Sequence, residues 1–592
     1  MGIQSGTGGR KGPLPLCIGV TGHRDLRAAE EGRLRLQFTT FIERCLAQAP
    51  HTPVHVLSAM AEGADLLAAE CALALADSGR PVTLRVVLPL PWAEYASDFA
   101  PEVRARVQAV LDRVPAGHRI EPGTAWLAKR LGLALTEDGG LPTITGERRV
   151  NCYEDVGRRI ARHCHLLVAI WDGRESGLRA GTAQIVAERL AGIPLDERPV
   201  SAVFRDQDRG PVLVLPTGRR QHAADPPELG PPRFLGELRP ADDARSDDES
   251  SAAQRAFDER LADIEAFNLS ATTLDDASLA ASRQWLLPGA PRPAADPAWA
   301  ALESAYAAAD VLAARHQRRN HRARMAILAL ALLIPMLAVV GGLLPDWMSL
   351  GYPLLFVGML AVASWNRRRH HHDRSLHYRA LAEALRVQLA WRWAGSGERA
   401  SQHYLRRHQA ALGWMGGTLR CLCLQPPPDA GVGEAGLQLL GQAWIVDQRD
   451  YHQVSAQRHG RRASHLARFA VALVALALVI SLVLGLVPGA VATLLDGEGR
   501  GMLGALAGSL PALAGCLLAY NAAMAHREVA RESERMAQLH ARAAAALDAA
   551  ASGAPYSPAR IDLLHEVGIE CLRENAEWVF LHLDRPPEAK LD

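Results

Sequence analysis

Four uninterrupted apolar runs, grouped as two hairpins, constrain this chain more than any other feature. They extend from Met325 to Leu344, Trp347 to Trp365, Phe469 to Val487 and Met502 to Met524, and none contains Asp, Glu, Lys, Arg or His. A helix of about 18 or more apolar residues reaches across a bilayer core of roughly 30 Å. Paired in this way, the runs predict a polytopic membrane protein with a large water-facing remainder. Charge at their ends sets the orientation. Arg315, Arg318, Arg319, Arg322 and Arg324 precede the first run, and Arg367, Arg368, Arg369 and Arg374 follow the second. Arg458, Arg461, Arg462 and Arg468 precede the third, and Arg527 and Arg531 follow the fourth. The opposite loops hold only Pro345-Asp346 and the stretch from Pro488 to Arg500. The positive-inside rule therefore predicts a multi-pass protein with both termini cytoplasmic.

An ionisable residue inside the membrane is the usual mark of an ion or proton pathway. The runs have none, which disfavours a pump or secondary transporter. They offer instead small residues for helix packing, with Gly504 and Gly508 at GxxxG spacing. Pro335 and Pro511 are tolerated there if neighbouring helices absorb them. A repeat is also visible. Arg315-His316-Gln317-Arg318-Arg319 recurs as Arg458-His459-Gly460-Arg461-Arg462, each just before a hairpin. After each hairpin comes an amphipathic stretch, Arg374 to Trp393 and then His526 to Ala550. The expected unit is a leading helix, a hairpin and a trailing helix, present twice in parallel orientation. Ala298 to Arg324 reads as one helix running into the first span, and Ile561 to Leu583 as a closing amphipathic helix. Trp391 and Trp393 suit either a membrane interface or a core. His370-His371-His372, beside a basic flank, reads as a solvated anchor and not as a metal site.

Composition narrows the classes further. With 65 Lys and Arg against 64 Asp and Glu, the chain gives no electrostatic reason to bind nucleic acid directly. Its nine cysteines form no CxxC and read as reduced thiols in a cytosolic setting. Abundant arginine and alanine, with lysine only at Lys11, Lys129 and Lys590, suggest a GC-rich bacterial genome. The first 13 residues lack an apolar run, so no cleavable signal is expected, and Gly6 stands where myristoylation wants Ser or Thr.

From about Pro15 to Pro216 short apolar runs alternate with helical patterns. Strands are expected at Leu16 to Val20, Val54 to Ser58, Leu84 to Leu88, Leu166 to Ile170 and Val212 to Leu215. Strands alternating with helices argue for a mostly parallel sheet covered on both faces, with ligands at the carboxyl ends of its strands. Three turns fall at that edge: Thr21-Gly22-His23-Arg24, then Glu62-Gly63-Ala64-Asp65, then Asp172-Gly173 followed by Gly181-Thr182. Small residues let a ligand approach the backbone, and helix N-termini offer N–H groups to an anion. Arg24 and Thr182 are candidate phosphate contacts; Glu62, Asp65 and Asp172 are candidate ribose contacts.

The set GVTGHRDL (19–26), AMAEGADLLAAECAL (59–73), LPLPWAEYASDF (88–99) and AIWDG with AGTAQ (169–184) resembles the SLOG family. That Rossmann-like superfamily is related to the cytokinin-activating "lonely guy" enzymes and to DNA-processing protein A. The remainder resembles SLATT-type membrane modules, on the hairpin layout, Tyr378-Arg379 with Glu383 and Arg386, and Glu574-Asn575-Ala576-Glu577-Trp578. The resemblance implies an α/β Rossmann-like domain joined to an α-helical membrane domain with four transmembrane helices in two hairpins. The corresponding boundaries are a disordered N-terminus (1–14), the SLOG-like domain (15–218), a partly disordered linker (219–297) and two two-span modules (298–424 and 425–592).

The implied function is a bacterial inner-membrane effector in anti-phage defence. A nucleotide-derived ligand, such as an ADP-ribose derivative or a cyclic nucleotide, would drive a homo-oligomer to disrupt the membrane or form a pore. No fixed cofactor, metal or catalytic residue is expected. The enzymatic relatives use a PGGxGTxxE loop, and here Ile185 stands in place of its glutamate, with Glu188 about one helical turn on. A membrane-anchored nucleotide or NAD N-glycosidase is the alternative, and a ligand-free assembly scaffold the third reading.

Overall fold

The computed structural model describes residues 12–137, 139–174, 177, 179–193, 208–220, 230–236, 247–287, 296–340, 351–403, 409–427, 433–551 and 558–583. The tip of the first hairpin, with Pro345, Asp346 and Trp347, lies outside these residues, as do residues 1–11 of the expected disordered N-terminus and 242–246 of the linker. The N-terminal part is an α/β sheet and the C-terminal part is mostly helical.

The sheet has seven strands: β1 (Leu16–Gly22), β2 (Val54–Ser58), β3 (Val82–Val87), β4 (Arg119–Ile120), β5 (Leu166–Trp171), β6 (Val212–Pro216) and β7 (Arg233–Leu235). Their spatial order is β4-β3-β2-β1-β5-β6-β7, parallel except for β7 at one edge. β1 and β5 are central, and every residue of β5 is buried, as a strand covered on both faces requires. The chain fills one side of β1 with β2, β3 and β4, then crosses to the other side with β5. That reversal makes the β1/β5 boundary a topological switch point.

The pleat divides the sheet into two cores. Leu16, Ile18 and Val20 of β1 face α1 (Ala28–Gln48) and α2 (Ala64–Asp77), joined by the short α3 (Trp92–Tyr95), α4 (Pro101–Arg113) and α5 (Thr124–Leu131). Cys17 and the alternate residues of β5 face α6 (Gly146–Arg162) and α7 (Thr182–Ala191). Five strand positions expected from the sequence are present, while β4, β7 and α5 were not anticipated.

Beyond the sheet, α8 (Asp247–Ala271) and α9 (Asp276–Leu286) occupy much of the stretch expected to be linker. Asp275 caps α9 by accepting the Ser278 N–H at 2.7 Å. α8 belongs to two cores at once. Its Phe257 and Leu261 pack with Phe41 and Phe234 in the core on the α1/α2 face of the sheet, whereas Ile264 and Phe267 enter the helical core. Next to them Asn268, fully buried, accepts the Leu14 N–H at 3.1 Å and donates to the Leu14 carbonyl at 2.8 Å.

The helical part runs through α10 (Pro297–Val340), α11 (Gly351–Arg368), α12 (His371–Trp393), α13 (Gln409–Leu422), α14 (Glu434–Leu440), α15 (Asp447–Leu486), α16 (Pro488–Leu494), α17 (Gly497–Ala523), α18 (His526–Ala551) and α19 (Pro558–Leu583). α10 is one helix from a buried beginning at Leu302 and Tyr306 into the first apolar run, as expected. α12 is the axis of the helical core. Trp391 and Trp393 are buried within it, which decides against the membrane interface for both. Leu564 and Leu572 of α19 pack there too, and the Trp391 indole donates to the Leu564 carbonyl at 3.2 Å.

Three helices are long and apolar enough to cross a membrane among the described residues: Ala298–Leu337, Gly436–Leu486 and Gly497–Ala549. The described part of the expected second span, α11, is 18 residues ending in Asn366-Arg367-Arg368 and is not among them. α10 and α17 continue through Pro335 and Pro511. Among the described residues, no atom outside the local helix backbone lies within 4 Å of the Cβ positions of Gly504 and Gly508, so the close packing expected of that pair is not made there.

The repeat has a structural counterpart. His370 (φ 48°) and Ala525 (φ 49°) each turn the backbone left-handed at the start of a trailing helix. The next residue in each case, His371 or His526, meets the histidine of the repeated basic motif: His316 and His371 Nδ1 atoms are 3.1 Å apart, and those of His459 and His526 are 3.0 Å apart. His371 is therefore a buried clasp and not the solvated anchor expected.

Candidate functional site

β1, β2 and β5 end together, and the chain crosses this edge with almost no slack. A Cβ on Gly22 would lie 2.4 Å from the Ala64 Cβ and 2.6 Å from the Ile170 carbonyl oxygen. At Gly63, with φ 82°, it would lie 2.4 Å from the His23 carbonyl oxygen. Both positions thus need glycine because the chain packs against itself. The Ala64 N–H donates to the His23 carbonyl at 3.1 Å, and the His23 N–H to Ile170 at 3.1 Å.

At the switch point His23 Nε2 lies 3.1 Å from Asp172 Oδ1 and 3.2 Å from the Asp172 backbone nitrogen. Burial lowers the His23 pKa, against the pull of Asp172. Loop 217–220 closes over this side. Arg219 pairs with Asp25 at 3.0 Å, and Glu30 accepts from Thr217 Oγ1 at 2.9 Å and Gly218 N–H at 3.1 Å.

On the β2 side Asp65 is buried, and burial pushes its carboxyl up to about 7, with Arg24 and the Ala61 and Ala59 N–H groups opposing. The Arg24 guanidinium lies 5.2 Å from the Tyr153 ring centroid. Tyr153 donates its hydroxyl to Asp98, and Arg149 joins Asp98 (2.7 Å) to Glu94 (2.6 Å). Burial raises the Tyr95 hydroxyl well above its ordinary range, opposed by Arg24.

A cleft of about 220 Å³ opens outward from the N-terminus of α2. Arg24, Arg35, Arg106 and Arg220 line it, with Glu31, Glu62 and Gly63. Arg35 and Arg106 share Glu70 at 2.5 and 2.8 Å, and Arg220 approaches Glu62 at 3.7 Å. Against Glu31 and Glu62, four guanidinium groups leave the lining net positive beside a helix N-terminus, with Arg24 the arginine that these ion pairs do not engage.

The expected site residues therefore separate. Thr21, Gly22, His23, Arg24, Gly63, Asp65 and Asp172 meet where the three strands end, and Glu62 stands at the cleft. Among the described residues no hydrogen bond or ion pair joins Gly173, Gly181 or Thr182 to that group. Gly181 and Thr182 open α7, where Gln184 donates to Glu154 (2.6 Å) and Glu188 (2.9 Å). Arg158 holds Glu188 at 2.6 Å, and Ile185 is buried against Gly157 of α6. Burial would raise Glu154, yet Arg179 and Gln184 hold it below the usual carboxylate range. Ile185 is thus apolar core within α7, and Glu188, one turn on, is already engaged by Arg158.

Arg35, Arg106 and Arg220 were not anticipated, because they come from three separate elements and no local pattern joins them. Tyr95 and Asp98 lie within LPLPWAEYASDF (88–99), the one available signal. Two further clusters, neither anticipated, bring possible metal ligands within 4.8 Å of one another: Cys17, His165 and Cys421, and Glu398, His403 and His565. Hydrogen bonds from His403 and His565 hold Glu398 below its ordinary range.

Residues 304–399, which cover most of α10, all of α11 and α12, match a family described as a protein of unknown function (DUF4231). No curated protein matches the chain.

Proposed function

We propose that this chain is a membrane effector whose α/β domain senses a phosphorylated, nucleotide-derived ligand. Binding at the switch-point edge and the adjoining arginine cleft would shift the helical part between two states. A ligand does this only through its different affinity for each. In this reading α11 is the second of four spans, both termini face the cytoplasm of a bacterial inner membrane, and the hairpins of a homo-oligomer breach the bilayer in anti-phage defence. The domain is SLOG-like, and the DUF4231 match falls on the segment that resembles a SLATT module.

The observation that supports this most is α8, which shares its side chains between the sheet's core and the core from which α10 leaves for its apolar half. A domain merely tethered would need no such sharing. Hydrolytic chemistry finds no support at Ile185 and Glu188.

Titration of the full chain in detergent with ADP-ribose and with cyclic nucleotides, followed by calorimetry, tests the reading. Binding of one of them, weakened about tenfold or more by Arg24→Ala, is expected from loss of a charged phosphate contact. No binding by either class, or binding indifferent to Arg24, rejects it.

A further inference from the structure

We propose that Cys17, His55, His165 and Cys421 form a structural zinc site that fastens α13 to the underside of the sheet. The parallel register puts three of these residues in a row. Cys17 is the partner of His55 across the β1–β2 pair, and His165 immediately precedes Leu166, the partner of Ile18. All three lie at the amino ends of their strands, opposite the candidate ligand edge. The end of α13 supplies the fourth residue.

The donor atoms converge. Cys421 Sγ lies 3.2 Å from His165 Nδ1 and 3.9 Å from its Nε2. Cys17, His165 and Cys421 donors lie within 4.8 Å of one another, and His55 stands beside Cys17 as its register partner on β2. Cys17, His165 and Cys421 are buried. Tetrahedral zinc, with Zn–S of about 2.3 Å and Zn–N of about 2.0–2.1 Å, wants neighbouring ligands roughly 3.4–3.8 Å apart. Two thiolates and two imidazoles are a structural zinc set, and with the thiol protons released to solvent the charge of the ion is neutralised. Coordination through His165 Nδ1 exchanges the hydrogen bond that this atom accepts from the Cys17 N–H, at 3.0 Å, for a bond to the metal.

Placement gives the site its consequence. Trp414, Met415, Leu419 and Leu422 of α13 belong to the helical core, whereas Cys421 and Leu424 pack under the sheet. The metal would therefore lock the sensor domain to the helical body at a second point besides α8.

Elemental analysis of the full chain purified in detergent should find about one zinc per chain, falling to about a tenth of that in Cys421→Ser and His165→Gln. Should those variants misfold, the wild-type chain decides alone: stripped by chelator and given Co²⁺, it should show tetrahedral visible bands with thiolate charge-transfer absorption. A wild-type chain that takes up neither Zn²⁺ nor Co²⁺ overturns the proposal. So does a Cys17–Cys421 disulfide in protein purified without metal.

Discussion

Asp65 shows how one residue can carry the electrostatic state of the candidate site. Its carboxyl is raised to about 7 by burial, against an ordinary value near 3.9. The folded chain therefore holds this proton more tightly than the unfolded chain. The resulting stabilisation is complete below about pH 4 and is lost as pH rises through about 7. A shift of this size amounts to a few kcal/mol at most, and about 1–3 kcal/mol after relaxation around Arg24. Asp65→Asn removes the titration while keeping the shape. Between about pH 5 and pH 8 the thermal midpoint of the parent chain should fall relative to that of Asp65→Asn. Parallel pH profiles would show that Asp65 stays ionised when folded. An anion bound near Arg24 would withdraw the compensating charge, so ligand and proton should bind together here. At this scale the sequence displayed the turn residues, but not what they touch. Gly22 and Gly63 looked like openings for a ligand, and both are filled by the chain's own backbone and Ala64.

Among the elements, strands with continuous apolar runs were legible because burial on both faces leaves a local signature. β5 is the clearest case. α10, α12, α18 and α19 were legible for the same reason in helical period. Segments whose partners lie far away in sequence were not. α13 is short, Gly-rich in its middle and split between two cores, and nothing in its own residues announces Cys421 as a neighbour of Cys17. α8 showed helical periodicity, but its sequence context of Pro, Asp and Ser suggested a linker. Its function as a shared beam rests on Asn268, whose amide satisfies both the N–H and the carbonyl of Leu14. Asn268→Ala leaves those two buried backbone groups unsatisfied, at about 1–3 kcal/mol each. Calorimetry should then resolve two unfolding transitions where the parent chain shows one, since the two cores lose a joint. A single transition, merely shifted, would mean that other contacts between the cores suffice.

For the whole molecule, the exposed faces of α10, α11, α15 and α17 matter most. Met336, Leu354, Phe356, Phe469, Leu478 and Leu486 are all exposed, on helices that otherwise pack well at their basic ends. Such a surface exceeds what a chain in water tolerates, and three of these helices are long and apolar enough to cross a membrane. The chain should stay with the membrane pellet through high salt and alkaline carbonate, and leave it only with detergent; release by carbonate would contradict all of the span assignments. The candidate ligand edge, at the carboxyl ends of the strands, lies opposite the α13 contact at their amino ends. A signal must therefore cross the sheet or travel through α8. On the proposed function, that geometry would separate recognition from response. Arg24→Ala should weaken ligand binding and ligand-dependent leakage from liposomes together, each by about tenfold or more. Asn268→Ala should keep the ligand affinity within about twofold while the leakage response falls about tenfold, because the coupling free energy and not the contact is lost. If Asn268→Ala leaks normally on ligand addition, transmission does not depend on α8. The rigid route through β1 and β5 to Cys17, His165 and α13 would then be the one that carries the signal.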